Sequence, residues 1–160
     1  VSTPGSPFAI PGTGGSPVML KWSPDLSVGV PEIDDQHKLL ADRANLLFEK
    51  LPGSSPELVL DAFSFFESFI ATHFETEASY MDSPAGAAYK NAPSHKAIHE
   101  RFLNEFREYR QEMEQGATDQ YFVFELTRWI TDWYTEHINT VDKELGEALR
   151  AFETSKKRQR

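Results

Sequence analysis

Polar and apolar positions follow the three-and-four spacing of amphipathic helices along most of the chain, not the strict alternation of strands. The first such stretch, residues 32–51, carries Ile33, His37, Leu40, Ala44, Leu47 and Leu51 on one stripe and stops at Pro52-Gly53. Asp34 or Asp35 suits the positive end of its dipole. The second, residues 56–81, opens on Ser54 or Ser55 as a cap and carries Ala62, Phe66, Phe69, Ile70, His73 and Glu77. A loop rich in small residues covers 83–93. The third, residues 94–115, carries His95, His99, Phe102, Phe106, Tyr109 and Met113 and stops at Gly116. The fourth, residues 118–139, takes Thr118 as its cap and carries Phe122, Leu126, Trp129, Trp133 and His137. A shorter helix is expected over 143–152. Strand signals are weak, with few β-branched clusters and no Asn-Gly or Asp-Gly hairpin. Short turns join the first helix to the second and the third to the fourth, which makes each pair antiparallel neighbours. The pattern therefore predicts an all-α fold: an antiparallel up-down-up-down four-helix bundle over residues 20–153, with a flexible N-terminal segment and a short C-terminal helix.

Composition adds the two ends. Four of the ten prolines and four of the nine glycines fall in the first 17 residues. Such a segment buries too little apolar surface to offset its ordering entropy. Residues 1–19 are read as a flexible Pro/Gly/Ser-rich linker or tail; as a linker, the segment would join the bundle to an upstream signalling domain of the same polypeptide. Residues 154–160 read as a basic, solvated tail. The 160 residues carry a net charge of −9, which argues against nucleic acid as a partner. The absence of cysteine rules out disulfides, Cys-ligated zinc, thiolate-bound clusters and thiol nucleophiles. No apolar run approaches the roughly 20 residues needed to span a bilayer, and no secretory signal pattern is visible. The expected location is cytoplasmic.

The five histidines narrow the chemistry, because each lies on the inward stripe of its helix: His37 on the first, His73 on the second, His95 and His99 on the third, His137 on the fourth. A buried imidazole needs a hydrogen-bond partner or a metal. One alone is an ordinary core residue, but five of five on inward stripes point to a shared ligand. His95 and His99 are i, i+4, only ~40° apart around a helix, so both can grip one ion. His73 and Glu77 repeat that spacing. His137 and Asp142 are i, i+5, which an ideal helix would set ~140° apart. They converge only if the helix loosens or ends between them, and Asn139, Thr140 and Val141 are indifferent helix formers that permit this. In an up-down bundle all seven side chains reach the same end. That set is too large for one tetrahedral zinc site and suits two metal ions bridged by the two carboxylates. Nitrogen-rich, thiolate-free ligation fits iron better than copper, nickel or zinc, and does not suit magnesium or calcium.

These residues resemble the hemerythrin family, specifically a bacterial hemerythrin-like domain, over about residues 20–149. The matching pieces are Leu26-Ser27-Val28-Gly29-Val30 with Ile33-Asp34-Asp35-Gln36-His37, then His73-Phe74 with Glu77, His95 with His99, and Trp133 with His137-Ile138 and Asp142. The resemblance implies reversible O2 binding at a non-haem, oxo- or hydroxo-bridged pair of iron ions. It implies one ion held by His95, His99 and His137, another held by His37 and His73, and Glu77 and Asp142 bridging both. Nitric oxide is a second candidate ligand. Phe74 and Trp133 are expected beside the centre, keeping it dry. Two positions depart from the family pattern. Ala78 stands where many members have a second glutamate. Tyr134 stands where an aliphatic residue is common: its phenol either points between helices or to solvent, or sets a polar group beside bound O2. The resemblance implies a binding protein rather than an enzyme, serving oxygen sensing (as in chemotaxis) or oxygen storage and delivery, with weak oxidase or peroxidase side activity compatible. The alternatives are a di-iron enzyme, such as a peroxidase or oxygenase, and a structural metal site.

Overall fold

A computed structural model describes residues 19–159; residues 1–18 and Arg160 lie outside the described residues, and with them the expected flexible segment apart from Met19. Every regular element among the described residues is helical. They are α1 (Pro31–Lys50), α2 (Pro56–Asp82), α3 (Ala92–Glu114), α4 (Gln120–His137), a π-helical turn (Ile138–Asp142) and α5 (Lys143–Arg158), with 3-10 turns at Pro24–Leu26 and Gly86–Ala88. Helix α1 packs on α2, α2 on α3 and α1 on α4. The start of α1, the end of α2, the start of α3 and the end of α4 thus share one end of the bundle.

Aromatic side chains fill the centre. Phe63 and Phe66 each meet Phe106 at 5.2 Å between ring centres, and Phe102 stacks on Trp129 at 4.7 Å. Each such side chain, fully buried, contributes roughly 1.5–3 kcal/mol. Two buried faces are rotated from the expected stripes. On α2, Val59, Phe63 and Phe74 are buried while Ala62 and Phe69 are half-buried; on α4, Ile130 and Tyr134 take the inner positions while Trp129 and Trp133 flank them. Both helices are apolar over two adjacent stripes, so periodicity alone does not select the inner one. The indole N–H breaks the tie on α4, because Trp129 donates to Glu105 at 3.2 Å and so sits at the edge of the core.

Helix ends show which polar groups hold the chain in register. Ser55 and Asp119 cap α2 and α4, accepting from the backbone N–H groups of Leu58 and Phe122. Asp119 replaces the expected Thr118, since it is the residue directly preceding the first helical one. Asp34 reaches back to the incoming chain, accepting from Ser27 Oγ (2.6 Å) and Val28 N–H (2.8 Å). Farther along α1, Asn45 clasps Leu20 through both its backbone groups, at 2.8 and 2.9 Å. Residues 20–30 therefore lie as a strap along α1. At the other terminus α5 runs to Arg158, so most of the expected basic tail is helical, though exposed. No Gly or Pro interrupts it after Gly146. Lys156, Lys157 and Arg158 also favour the negative end of its dipole.

Helix α5 crosses the strap at Gly146, where a Cβ would lie 2.2 Å from the Val28 carbonyl oxygen. Gly146→Ala is expected to cost about 1–3 kcal/mol by pushing α5 off the strap. Glu147→Ala, one position on and exposed, should change stability by less than about 0.5 kcal/mol. Urea unfolding of both metal-free variants checks this.

Candidate metal centre

The bundle end described above gathers His37 from α1, His73 and Glu77 from α2, His95 and His99 from α3, His137 from the last position of α4 and Asp142 from the last position of the π turn. None of the seven is more than 4% exposed. The π turn resolves the i, i+5 spacing, because its wider winding brings residues five apart onto one face; His137 Nε2 lies 2.9 Å from Asp142 Oδ1.

The donors form two groups that share the carboxylates. One is Glu77, His95, His99, His137 and Asp142; the other is His37, His73, Glu77 and Asp142. Glu77 turns Oε2 to His95 (3.4 Å) and His99 (3.2 Å), and Oε1 to His73 (3.6 Å) and His37 (4.0 Å). Asp142 turns Oδ1 to His95 (3.1 Å) and His137 (2.9 Å), and Oδ2 to His37 (3.0 Å). In the larger group His137 Nε2 is 3.2 Å from His95 Nε2 and 3.0 Å from His99 Nε2. Two nitrogens at right angles around an ion about 2.1 Å from each would be ~3 Å apart. Among the described residues neither oxygen of either carboxylate finds a hydrogen-bond donor in line, and both ring nitrogens of His37 are also without a partner. Buried acceptors left unmatched in this way cost several kcal/mol unless a cation meets them. The donor set fits metal.

Electrostatics favour the ligating form of Glu77, Asp142 and His73. Burial and the Asp142 charge would raise the Glu77 pKa, but His73 and its neighbouring imidazoles hold it down to about 2. Burial likewise opposes ionisation of Asp142, yet the imidazoles, His137 foremost, keep it well below the usual carboxylate range. Burial depresses His73 to about 4, against the pull of Glu77, so its ring is neutral at pH 7. His95 is the exception. Burial would lower it, but Asp142 and Glu77 outweigh that and lift it to about 9. A metal must displace its proton.

Phe74 stacks on His99 at 3.8 Å and Trp133 on His137 at 4.3 Å, both walling the three-histidine group. Tyr134 is buried and its hydroxyl donates to the His37 carbonyl at 2.8 Å, so the phenol lies between α4 and α1. One helical turn deeper than the histidines, Leu40, Ala44, Phe66, Ile70, Phe102, Ile130, Trp133 and Tyr134 enclose a void of about 10 Å³. Two neighbours of the histidines have no role in the sequence pattern alone. Gln36 Oε1 lies 2.8 Å from His73 Nδ1, and its amide donates to Thr76 at 3.0 Å. Tyr89, in the α2–α3 connection, places its hydroxyl 3.2 Å from His95 Nδ1. Gln36 directly precedes His37, a register that turns it toward α2 and was a usable signal. Nothing in local spacing marks Tyr89.

Fold and site together define a metal-binding four-helix bundle whose donors come from all four long helices. Residues 28–149 match the family model described as the hemerythrin HHE cation binding domain. The chain belongs to the hemerythrin family. It is similar to the bacteriohemerythrin of Pseudomonas paraeruginosa, 29% identical over 131 residues covering 82% of each chain. The bacteriohemerythrin of Clostridium acetobutylicum is 25% identical, over 79% of this chain and 98% of that one. Among solved structures, wild-type hemerythrin superposes with a TM-score of 0.72 at 25% identity, covering 82% of this chain and 98% of that one. A leucine-to-tyrosine hemerythrin mutant gives 0.71 at 25% identity, covering 84% and 98%. No described helix is long and apolar enough to cross a membrane.

The histidine shifts set the pH dependence of the metal-free chain. His73, folded at about 4 and 6.5 when unperturbed, contributes stability above its unfolded pKa that is lost as pH falls toward 4. His95, folded at about 9, contributes below 6.5 and loses that contribution as pH rises through 9. The melting temperature of the metal-free chain, followed by circular dichroism, is expected to peak at about pH 6–7 and fall on both sides. A steady rise from pH 5 to 9 would contradict these signs.

Proposed function

We propose that this chain binds O2 reversibly at two iron ions, His95, His99 and His137 holding one, His37 and His73 the other, with Glu77 and Asp142 spanning both. The observation that carries this reading is the pair of donor groups sharing two carboxylates, each of which offers opposite oxygens to the two groups. Membership of the hemerythrin family supports it. When bound, the iron pair supplies electrons and a Lewis-acidic position for a diatomic ligand, O2 or nitric oxide. The group with two histidines has fewer donors and would leave the free position. The chain's own residues orient and exclude. Gln36 accepts from His73 Nδ1 and so frees Nε2 to face Glu77. Phe74 and Trp133 keep water from the three-histidine side. Tyr134 lends its ring to the apolar void, its hydroxyl being held by the His37 carbonyl.

The void one turn from the donors is small, about 10 Å³, and lined by apolar side chains, which supports a small uncharged ligand. In the cell the bound oxygen would serve sensing, as a cytoplasmic module of a larger signalling protein, or storage and delivery. A signalling domain encoded upstream in the same polypeptide would decide for sensing.

Two measurements test the reading. Anaerobic loading with ferrous iron should give two ions per chain, and air should raise a visible charge-transfer band that vanishes on deoxygenation. Irreversible oxidation with turnover of an added substrate would favour the enzyme, and a folded chain that takes up no metal would end the proposal. Tyr134→Leu should keep the metal content but speed autoxidation by roughly tenfold, because the His37 carbonyl is released and the void opens. Unchanged oxygen affinity and autoxidation would remove Tyr134 from the mechanism.

A further inference from the structure

We propose that Tyr89 is a positioning residue: one hydroxyl ties His95 of α3 to the π turn that presents Asp142, so the connection between α2 and α3 sets the three-histidine group. The inference rests on the metal-binding reading above.

Tyr89 is 6% exposed, although it lies in a connection rather than a helix. Its hydroxyl is 3.2 Å from His95 Nδ1 and 3.4 Å from the Val141 carbonyl oxygen, and its ring meets His95 edge-on at 5.9 Å. A hydroxyl has one proton to give and lone pairs to receive with. Giving that proton to Val141 leaves the oxygen to accept from His95 Nδ1–H. With the other ring proton displaced by a metal, that arrangement leaves Nε2 bare, and Nε2 is the atom facing Glu77, Asp142 and His137. Val141 is the residue before Asp142, so the same hydroxyl steadies the backbone that carries the shared carboxylate.

The connection is built to hold the ring there. Gly86 N–H bonds to the Ser83 carbonyl (3.0 Å), Tyr89 N–H to that of Gly86 (2.9 Å) and Ala92 N–H to that of Tyr89 (3.3 Å), one turn feeding the next into α3. A Cβ at Gly86 would lie 2.3 Å from the Tyr80 carbonyl oxygen and 2.5 Å from that of Met81, so only glycine lets the chain fold this tightly onto the end of α2. Asn91 then donates to Glu144 at 2.9 Å, pinning the connection to α5.

The test uses the full chain loaded with zinc, in the wild type and in Tyr89→Phe, with Tyr80→Phe as the control. The hydroxyl of Tyr80 binds Glu32 at an exposed position. In wild type, 15N-resolved NMR should show a His95 Nδ1–H that exchanges slowly with solvent. In Tyr89→Phe that proton should exchange fast, and a chelator should withdraw one of the two ions roughly 10–100-fold faster than in wild type, with the other unchanged. Release and exchange equal to wild type would overturn the proposal, as would equal acceleration of both ions. Should Tyr89→Phe fail to fold, a fast-exchanging His95 Nδ1–H in wild type overturns it just as well. A wild-type chain that takes up neither zinc nor iron fails the metal-binding reading instead, which separates the two.

Discussion

Two carboxylates, fully enclosed and without an in-line hydrogen-bond donor among the described residues, are the constraint around which this bundle is organised. Removing an ionised group from water costs several kcal/mol, and only opposite charge in close contact returns it. Five imidazoles surround Glu77 and Asp142; burial holds His73 and His99 below the ordinary histidine range, while the two carboxylates lift His95 to about 9. Neutral rings offer these carboxylates no charge in return, whereas a cation would, and the nitrogens and oxygens converge where it would sit. The stability that tolerates this arrangement lies elsewhere, in the aromatic centre of Phe63, Phe66, Phe102 and Phe106, which continues directly from the histidine layer.

The two donor groups differ in how firmly they are held. On the three-histidine side, Phe74 and Trp133 stack flat on His99 and His137, and Tyr89 meets His95. On the other side, His73 has Gln36, but both ring nitrogens of His37 lack a hydrogen-bond partner among the described residues. Its backbone, not its ring, is what Tyr134 grasps. A rigid group with more donors beside a looser one with fewer is the asymmetry expected where one position must stay free to accept and release a small ligand.

Much of this was legible in the sequence because it is local. The i, i+4 pairs His95/His99 and His73/Glu77 declare a shared face, and antiparallel order carries all seven donors to one end. Even the awkward i, i+5 spacing of His137 and Asp142 announced that the helix had to change its winding, and the π turn is that change. What stayed hidden depends on contacts distant along the chain. Tyr89 and Val141 are 52 positions apart, and Tyr134 reaches a carbonyl 97 positions away. The inner face of α4 was misjudged for the same reason. Trp129 and Tyr134 are both aromatic, and only neighbours on α3 and α1 decide which turns inward. The extent of α5 was missed because basic composition reads as a solvated end, although no residue there breaks a helix.

The order of the donors along the polypeptide also dictates when the centre can come into being. Asp142 belongs to both groups and is the last of the seven to be synthesised, while His37 is the first. A metal ion at either donor group would therefore lack its full set on a ribosome-bound intermediate until the turn at the end of α4 had emerged, however early α1 and α2 pair. From that moment a bound ion would act as a cross-link between the beginning and the end of the bundle, a constraint that arises only once all four helices exist.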